Sequence, residues 1–245
     1  MVDSQQREPA EGAAERPELE IFLRQWDLYR KIIDNDYFSG VDAYPVLGRF
    51  LREELLRPFR FMDLACGDAS GIVGALKGTQ IAHYHGVDLS LPALELAKRQ
   101  LDVLPCTVTL EHADFADAVQ DRAQTPDVVW IGLSLHHLPT LKKRDLMRDV
   151  RKLIAADGAF VIYEPTLRDG EDVPAYLDRF EEFARRTWTV CTPEELDMAL
   201  EHVRTCDVPE TGDDWTALAC EAGFSKGEEL FRAPTDLFRM FAYRV

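Results

Sequence analysis

Phe61-Met62-Asp63-Leu64-Ala65-Cys66-Gly67-Asp68-Ala69-Ser70-Gly71 starts as a short apolar run and breaks into small residues before helical spacing resumes at Ile72. Small side chains let a backbone turn sharply and approach a ligand closely, and the start of the following helix offers unpaired N–H groups. Next, His83-Tyr84-His85-Gly86-Val87-Asp88 reads as a second strand ending in an acid. It lies about 20 residues beyond the first turn, the separation at which such an acid grips ribose hydroxyls. Together the two signals predict a crevice for a nucleoside-like ligand. The turn lacks the dinucleotide pattern GxGxxG, which weighs against a nicotinamide dehydrogenase.

Outward from this turn the chain alternates. Helical spacing near Ile72 to Lys77 gives way to a strand at Ile81 to Val87, a helix at Pro92 to Leu104 and a strand at Thr107 to Glu111. A short helix after Phe115, a strand at Asp127 to Ile131, a helix at Leu141 to Ala155 and a strand at Ala159 to Tyr163 follow. This alternation predicts an α/β fold with a doubly wound parallel sheet, covered on both faces and binding ligands at its C-terminal strand ends. From Pro165 to Gly223 only helices are expected, around Tyr176 to Thr187, Pro193 to Val203 and Asp214 to Ala222. Strand-like segments at Gly227 to Phe231 and Leu237 to Val245, around the turn Ala233-Pro234-Thr235, suggest an edge hairpin.

Upstream, Ile21, Phe22, Trp26, Leu28, Tyr29, Ile32 and Ile33 recur at helical spacing, and Val41 to Leu56 forms a second such segment. The expected organisation is a disordered tail over 1–16, a helical lid over 17–57, a core over 58–164, a helical cap over 165–223 and a closing hairpin over 224–245.

The 245 residues, 46% hydrophobic, suffice for one substantial core. A formal net charge of −16 opposes a nucleic-acid partner, which usually selects a basic face. Five cysteines, Cys66, Cys106, Cys191, Cys206 and Cys220, are scattered without CxxC spacing, so neither a disulfide framework nor a zinc site is indicated, and no metal is expected. Met1 to Arg16 lacks the apolar core of a signal peptide, and no run reaches about 18 apolar residues. The expectation is a cytoplasmic chain with reduced thiols and no membrane partner.

From Phe61 to Val245 the chain resembles the class I S-adenosylmethionine-dependent methyltransferases. The resemblance implies a Rossmann-like seven-stranded sheet, parallel except for one C-terminal strand, and S-adenosylmethionine as cofactor. It departs from the usual pattern at Ala65 and Ala69, where glycine is customary. Carried over by position, Asp63 and Gly67 line the methionine part of the cofactor and Asp88 holds the ribose, while Ala65 and Asp68 of the same turn are further cofactor contacts, with a cap of the next helix as the alternative for Asp68. Leu89 packs on adenine, Asp114 and Phe115 take its amino group and ring edge, and Leu133 follows the fourth strand beside the methyl group. In the lid, Tyr29 and Tyr37 are placed to reach the cofactor carboxylate or the substrate.

The same resemblance implies that His136 and His137, in Gly132-Leu133-Ser134-Leu135-His136-His137-Leu138-Pro139, stand beside the transferred methyl, where an imidazole can act as a base. The alternative for each is a satisfied structural histidine. Glu164 ends the fifth strand at the same rim as a candidate substrate contact. His83, His85 and His112 read as scaffold. In the cap, Trp188, Glu201, His202, Asp207, Glu210 and Asp214 are further candidates, with surface or packing roles as the alternative. From Glu164 to Asp214 the segment carries about fifteen acids against about five arginines, favouring a neutral or cationic small acceptor such as an amine, hydroxyl or thiol. Competing readings are methylation of a protein side chain and cofactor binding without catalysis.

Cys206-Asp207-Val208-Pro209-Glu210-Thr211, with Ala222-Gly223-Phe224 and the closing hairpin, is similar to the C-terminal layout of the carboxy-S-adenosylmethionine synthases. In that family an arginine of the preceding helix holds a carboxylate. Asp197 stands at that position by ungapped count and would repel one.

Overall fold

In the computed structural model, which describes residues 26–120, 125–225 and 227–245, strand β1 (Phe59–Leu64) lies at the centre of the sheet. Successive side chains of a strand point to opposite faces. Phe59 and Phe61 therefore join one apolar cluster, and Met62 and Leu64 the other. The same alternation runs through β4 (Val128–Gly132), where Val128 and Trp130 face one way and Val129 and Ile131 the other. With both faces covered, the strands read as nearly continuous apolar runs, as parallel sheets require.

The remaining strands are β2 (Ile81–Asp88), β3 (Thr107–His112), β5 (Ala159–Leu167), a two-residue β6 (Glu210–Thr211), β7 (Glu228–Arg232) and β8 (Phe238–Arg244). The sheet order is β3-β2-β1-β4-β5-β8-β7, with β6 beside β5. Among the described strands β8 alone runs opposite to all the others, as the resemblance implies. The strand order reverses between β1 and β4, and the crevice that opens there at the C-terminal strand ends is the general ligand site of such sheets.

Helices α1 (Trp26–Asp34), α2 (Gly40–Glu54), α3 (Ser70–Leu76) and α4 (Leu91–Leu101) cover one face, together with α7 (Val173–Thr187) and α8 (Pro193–Cys206). The short α5 (Phe115–Ala118), α6 (Thr140–Leu153) and α9 (Gly212–Ala222) cover the other. Four of these helices carry a side-chain start signal, whereas α2 and α6 begin without one. Ser90, Asp172, Thr192 and Thr211 cap α4, α7, α8 and α9 through their side chains, and Thr192 with Glu195 forms a full capping box.

Two boundaries differ from expectation. Strand β5 runs past Tyr163 to Leu167, because β8 pairs with it as far as Pro165 and β6 pairs with Thr166 and Leu167. A division after Glu164 therefore falls inside a strand. Of the helices between 165 and 223, only α7 and α8 overhang the strand ends. Helix α9 lies against α6 and buries Trp215, Leu218, Ala219 and Ala222 in the second cluster. The expected tail, 1–16, and the first turns of the leading helix lie outside the described residues.

Candidate active site

All three small residues of the first turn adopt the left-handed region: Ala65 has φ 58, Gly67 φ 54 and Ala69 φ 58. That conformation is free for glycine and costs an L-residue about 1–2 kcal/mol. Two positions where glycine is customary are thus positions where the backbone requires glycine-like geometry. Alanine adopts it at a cost. Leu133, after β4, has φ 55 as well, so strained backbone flanks the crevice on both sides of the switch point. Tight contact also fixes Gly71, where an added Cβ would lie 2.4 Å from the Tyr44 ring that packs α2 onto α3.

A cavity of about 210 Å³ opens above these turns. Its floor comes from the strand ends: Ala65 and Gly67 after β1, Asp88 and Leu89 after β2, Ala113 and Phe115 after β3, and Gly132, Leu133 and Ser134 after β4. Leu28, Tyr29 and Ile32 of α1 and Phe38 close one side. Phe180, Trp188, Ala199, His202, Val203 and Asp207 close the other, with His136 and His137 between. None of the described lining residues is lysine or arginine.

Asp88 is buried, and each carboxylate oxygen accepts one backbone N–H, Oδ2 from Gly67 and Oδ1 from Ser90, both at 2.8 Å. Burial raises its pKa against the pull of those bonds. An ionised carboxylate has about four lone-pair positions, so acceptor capacity remains for a pair of hydroxyls. Beside it Leu89, Ala113 and Phe115 form an apolar slot suited to a flat base. This donor set fits the adenosine half of S-adenosylmethionine.

Of the expected contacts, Tyr29, Ala65, Gly67, Asp88, Leu89, Phe115, Leu133, His136 and His137 line the cavity. Five others do not. Asp63 lies beneath the turn, where its carboxylate accepts the Tyr84 hydroxyl at 2.6 Å, and burial pushes its pKa to about 7 although that bond opposes the rise. Asp68 accepts from the Ser70 N–H and hydroxyl and pairs with Arg30 at 2.6 Å, tying α1 to the turn. Asp114 caps α5 through the Ala116 N–H at 2.8 Å. Tyr37 stacks on Trp188, with centroids 5.1 Å apart and planes 6° apart, so it joins lid to cap behind the wall.

Glu164 is the fifth, and it is wholly enclosed. Its carboxylate accepts the N–H groups of Ser134, Leu135 and His136 and faces His136 Nδ1 at 2.6 Å. Burial raises its pKa to about 7 against these bonds. It touches no cavity surface and instead holds the loop after β4. His136 is held neutral by burial and by the adjacent His137. Burial also pulls His137 down, but Asp207 and Glu164 outweigh it and the pKa rises. Asp207 is lowered overall, since the facing imidazoles overcome its burial.

Nothing in the sequence singles out Lys143, which sits in the charged run Leu141-Lys142-Lys143-Arg144. It is fully buried, lies 4.8 Å from the Trp215 ring centroid, pairs with Glu210 at 2.8 Å and donates to the Val208 carbonyl. With the Val208 N–H donating to the His136 carbonyl at 2.9 Å, it fixes the segment carrying Asp207. Of the cap candidates, Trp188, His202 and Asp207 line the cavity, whereas Asp214 lies in the first turn of α9 and accepts from the Thr211 hydroxyl that caps it. Asp197 is exposed and pairs with Arg185 at 2.9 Å, so it does not face an acceptor.

Residues 61–158 match a family model described as a methyltransferase domain. Two curated relatives, both named carboxy-S-adenosyl-L-methionine synthase 1 and from two strains of Yersinia pseudotuberculosis, are 20% identical over 124 residues, 49% of this chain and 52% of theirs. The chain therefore spans about half the length of the curated relatives it matches. Among solved structures, the plantazolicin methyltransferase BpumL with SAH superposes at TM-score 0.65 and 12% identity, covering 94% of this chain and 95% of the other. Magnesium protoporphyrin IX methyltransferase from Synechocystis PCC 6803 with bound SAM gives TM-score 0.62 at 13% identity, covering 93% and 94%. These likenesses establish a shared fold.

Proposed function

Since the chain carries a class I S-adenosylmethionine-dependent methyltransferase domain, we propose that it binds S-adenosylmethionine across the switch point and methylates a small, uncharged acceptor under the α7–α8 cap. The observation that carries this reading is the cavity's division into two ends. One end has the Asp88 carboxylate and the apolar slot of Leu89 and Phe115. The other is walled by Phe38, Phe180, Trp188 and Phe238, with His136, His137, His202 and Asp207 among its polar groups. A concave, mostly apolar chamber suits a small molecule better than a side chain presented on a protein surface.

Asp88 accepts the ribose hydroxyls, and Gly67, with the strained Ala65, lets the backbone approach the amino-acid end. Tyr29 closes over that end from α1. Tyr37, Asp63, Asp68 and Asp114 act one step back, by holding lid, turn and helix start in place. When bound, the cofactor supplies an electrophilic methyl carbon on a sulfonium. The chain's main task is then alignment, which is worth on the order of 7–11 kcal/mol in well-oriented reactions. An acceptor arriving as O–H or S–H can pass its proton to an imidazole lone pair at the His136–His137 end.

The acid excess of the cap lies mostly on its outer faces, where Glu181 meets Arg185 and Arg204 and Asp197 meets Arg185. Towards the cavity the cap offers one carboxylate, Asp207, already flanked by imidazoles. A neutral acceptor follows more directly than a cationic one. Without a lining lysine or arginine, an anionic acceptor has no counter-charge. A panel of phenols, alcohols, thiols, amines, carboxylates and phosphates, scored for transfer of an isotopically labelled methyl group, tests this. Neutral hydroxyls or thiols should be the best acceptors, and turnover dominated by carboxylates or phosphates would contradict the reading.

A further inference from the structure

His136, His137 and Asp207 each bring a donor atom to one place, all within 4.8 Å of one another. Asp207 Oδ1 lies 3.5 Å from His136 Nε2 and 3.4 Å from His137 Nδ1. Charge-assisted hydrogen bonds between such groups are about 2.7–2.9 Å long. Consistent with the longer spacing, Asp207 Oδ1 and His137 Nδ1 are both buried without a hydrogen-bond partner. Unpaired buried polar atoms are costly, and here two of them face each other. A protonated His137 paired with Asp207 would close that gap and satisfy both atoms.

The two separations from Asp207 suit a different occupant, and the two imidazole donors, within 4.8 Å of each other, must draw together to share it. Two donors bound about 2.0–2.2 Å from one tetrahedral ion stand about 3.3–3.6 Å apart. The surroundings are those of a ligand set. Glu164 already accepts three backbone N–H bonds, so it is an acceptor towards His136 as well. The His136 hydrogen therefore sits on Nδ1, and Nε2 turns its lone pair to Asp207. A carboxylate behind a histidine in this way is the usual second layer of a metal site. Asp207 is in turn anchored through Val208 by the His136 carbonyl and Lys143.

We propose that His136, His137 and Asp207 bind one divalent first-row transition-metal ion, zinc-like in its ligand preference, with an open position towards the acceptor end of the cavity. Two imidazoles and a carboxylate are a set that suits such ions, and three protein ligands with one vacant place are the pattern of catalytic rather than structural sites. Binding stands on its own geometry. Its use, which rests on the methyl-transfer reading, is to draw in an acceptor hydroxyl or thiol. With the ion in place the imidazole lone pairs are taken, so the acceptor's proton passes to water instead, its heteroatom forms the new bond to the methyl carbon, and the methyl–sulfur bond breaks with its electron pair remaining on sulfur.

Equilibrium dialysis of the untagged full chain against Zn²⁺, with metal content read by mass spectrometry, tests the site, and Co²⁺ absorption reports its geometry. The expected result is one ion per chain. Asp207→Asn and His137→Gln should each weaken Zn²⁺ binding at least tenfold, while His85→Ala, paired with Glu111 away from the cavity, should leave it unchanged. Each preparation is also checked by circular dichroism and by its thermal shift with S-adenosylhomocysteine. Folded chain that responds to S-adenosylhomocysteine but holds no Zn²⁺ would overturn the metal site and spare the methyl-transfer reading. Equal Zn²⁺ binding by folded Asp207→Asn would also overturn the site. Zn²⁺ binding with no response to S-adenosylhomocysteine would uphold the site and overturn the other reading.

Discussion

Ala65 and Ala69 were conspicuous in the sequence because glycine is customary at their positions, and the reason is their backbone, with φ 58 at each. Relief of about 1–2 kcal/mol of left-handed strain outweighs the roughly 0.4–1 kcal/mol that glycine's looser unfolded chain costs. Ala65→Gly should therefore leave stability unchanged or raise it by at most about 1.6 kcal/mol in urea denaturation. A loss would show that the turn is relaxed as it stands. Asp63 makes a second residue-level case. Its folded pKa of about 7 lies above the ordinary value for an aspartate, so the native state favours the protonated form. That contribution is complete at acidic pH and is lost as pH rises through about 7. Asp63→Asn keeps an acceptor for the Tyr84 hydroxyl and removes the buried charge. Relative to the wild type it should gain stability, on the order of 1 kcal/mol or more, between pH 5 and pH 8. A constant difference across that range would refute the assignment. Asp63 is legible in the sequence as an acid near a ligand, but not as a support. Which way Asp63 points depends on Tyr84, about a strand away, and no spacing rule encodes that partner.

At the scale of elements, the alternation of strand and helix carried most of the architecture, because a sheet buried on both faces writes itself as apolar runs separated by amphipathic helices. What escaped were features set by tertiary pairing. Strand β5 is long because β6 and β8 flank its end, and α9 belongs to the sheet face because Trp215 finds α6. Lys143 escaped for the same reason: within α6 it sits among charged residues, and only the fold carries Glu210 and Val208 to it. Removing one partner of a buried ion pair costs about 3–5 kcal/mol. Lys143→Met should destabilise the chain by roughly that amount, and Lys143→Met with Glu210→Gln should recover part of it. A double variant as unstable as the sum of the single changes would mean that the pair is not a coupled unit.

Across the whole molecule, the reversal of strand order between β1 and β4 places the first turn, the acid after β2 and the histidine loop after β4 around one cavity. The lid and cap close over it through Tyr37 on Trp188. The cofactor end was readable because its chemistry follows each strand directly in sequence. The acceptor end was readable only in pieces. His136 and His137 stood out, whereas Asp207 joins them from about 70 residues further along the chain.

We propose that Asp88 grips S-adenosylmethionine in this cavity. Isothermal titration of the full chain with S-adenosylhomocysteine, with NAD as the contrasting ligand, checks this. One site is expected for S-adenosylhomocysteine, none for NAD, and at least a tenfold loss of affinity in Asp88→Asn, about 1.4 kcal/mol. Binding of NAD in its place, or S-adenosylhomocysteine affinity unchanged in Asp88→Asn, would contradict it.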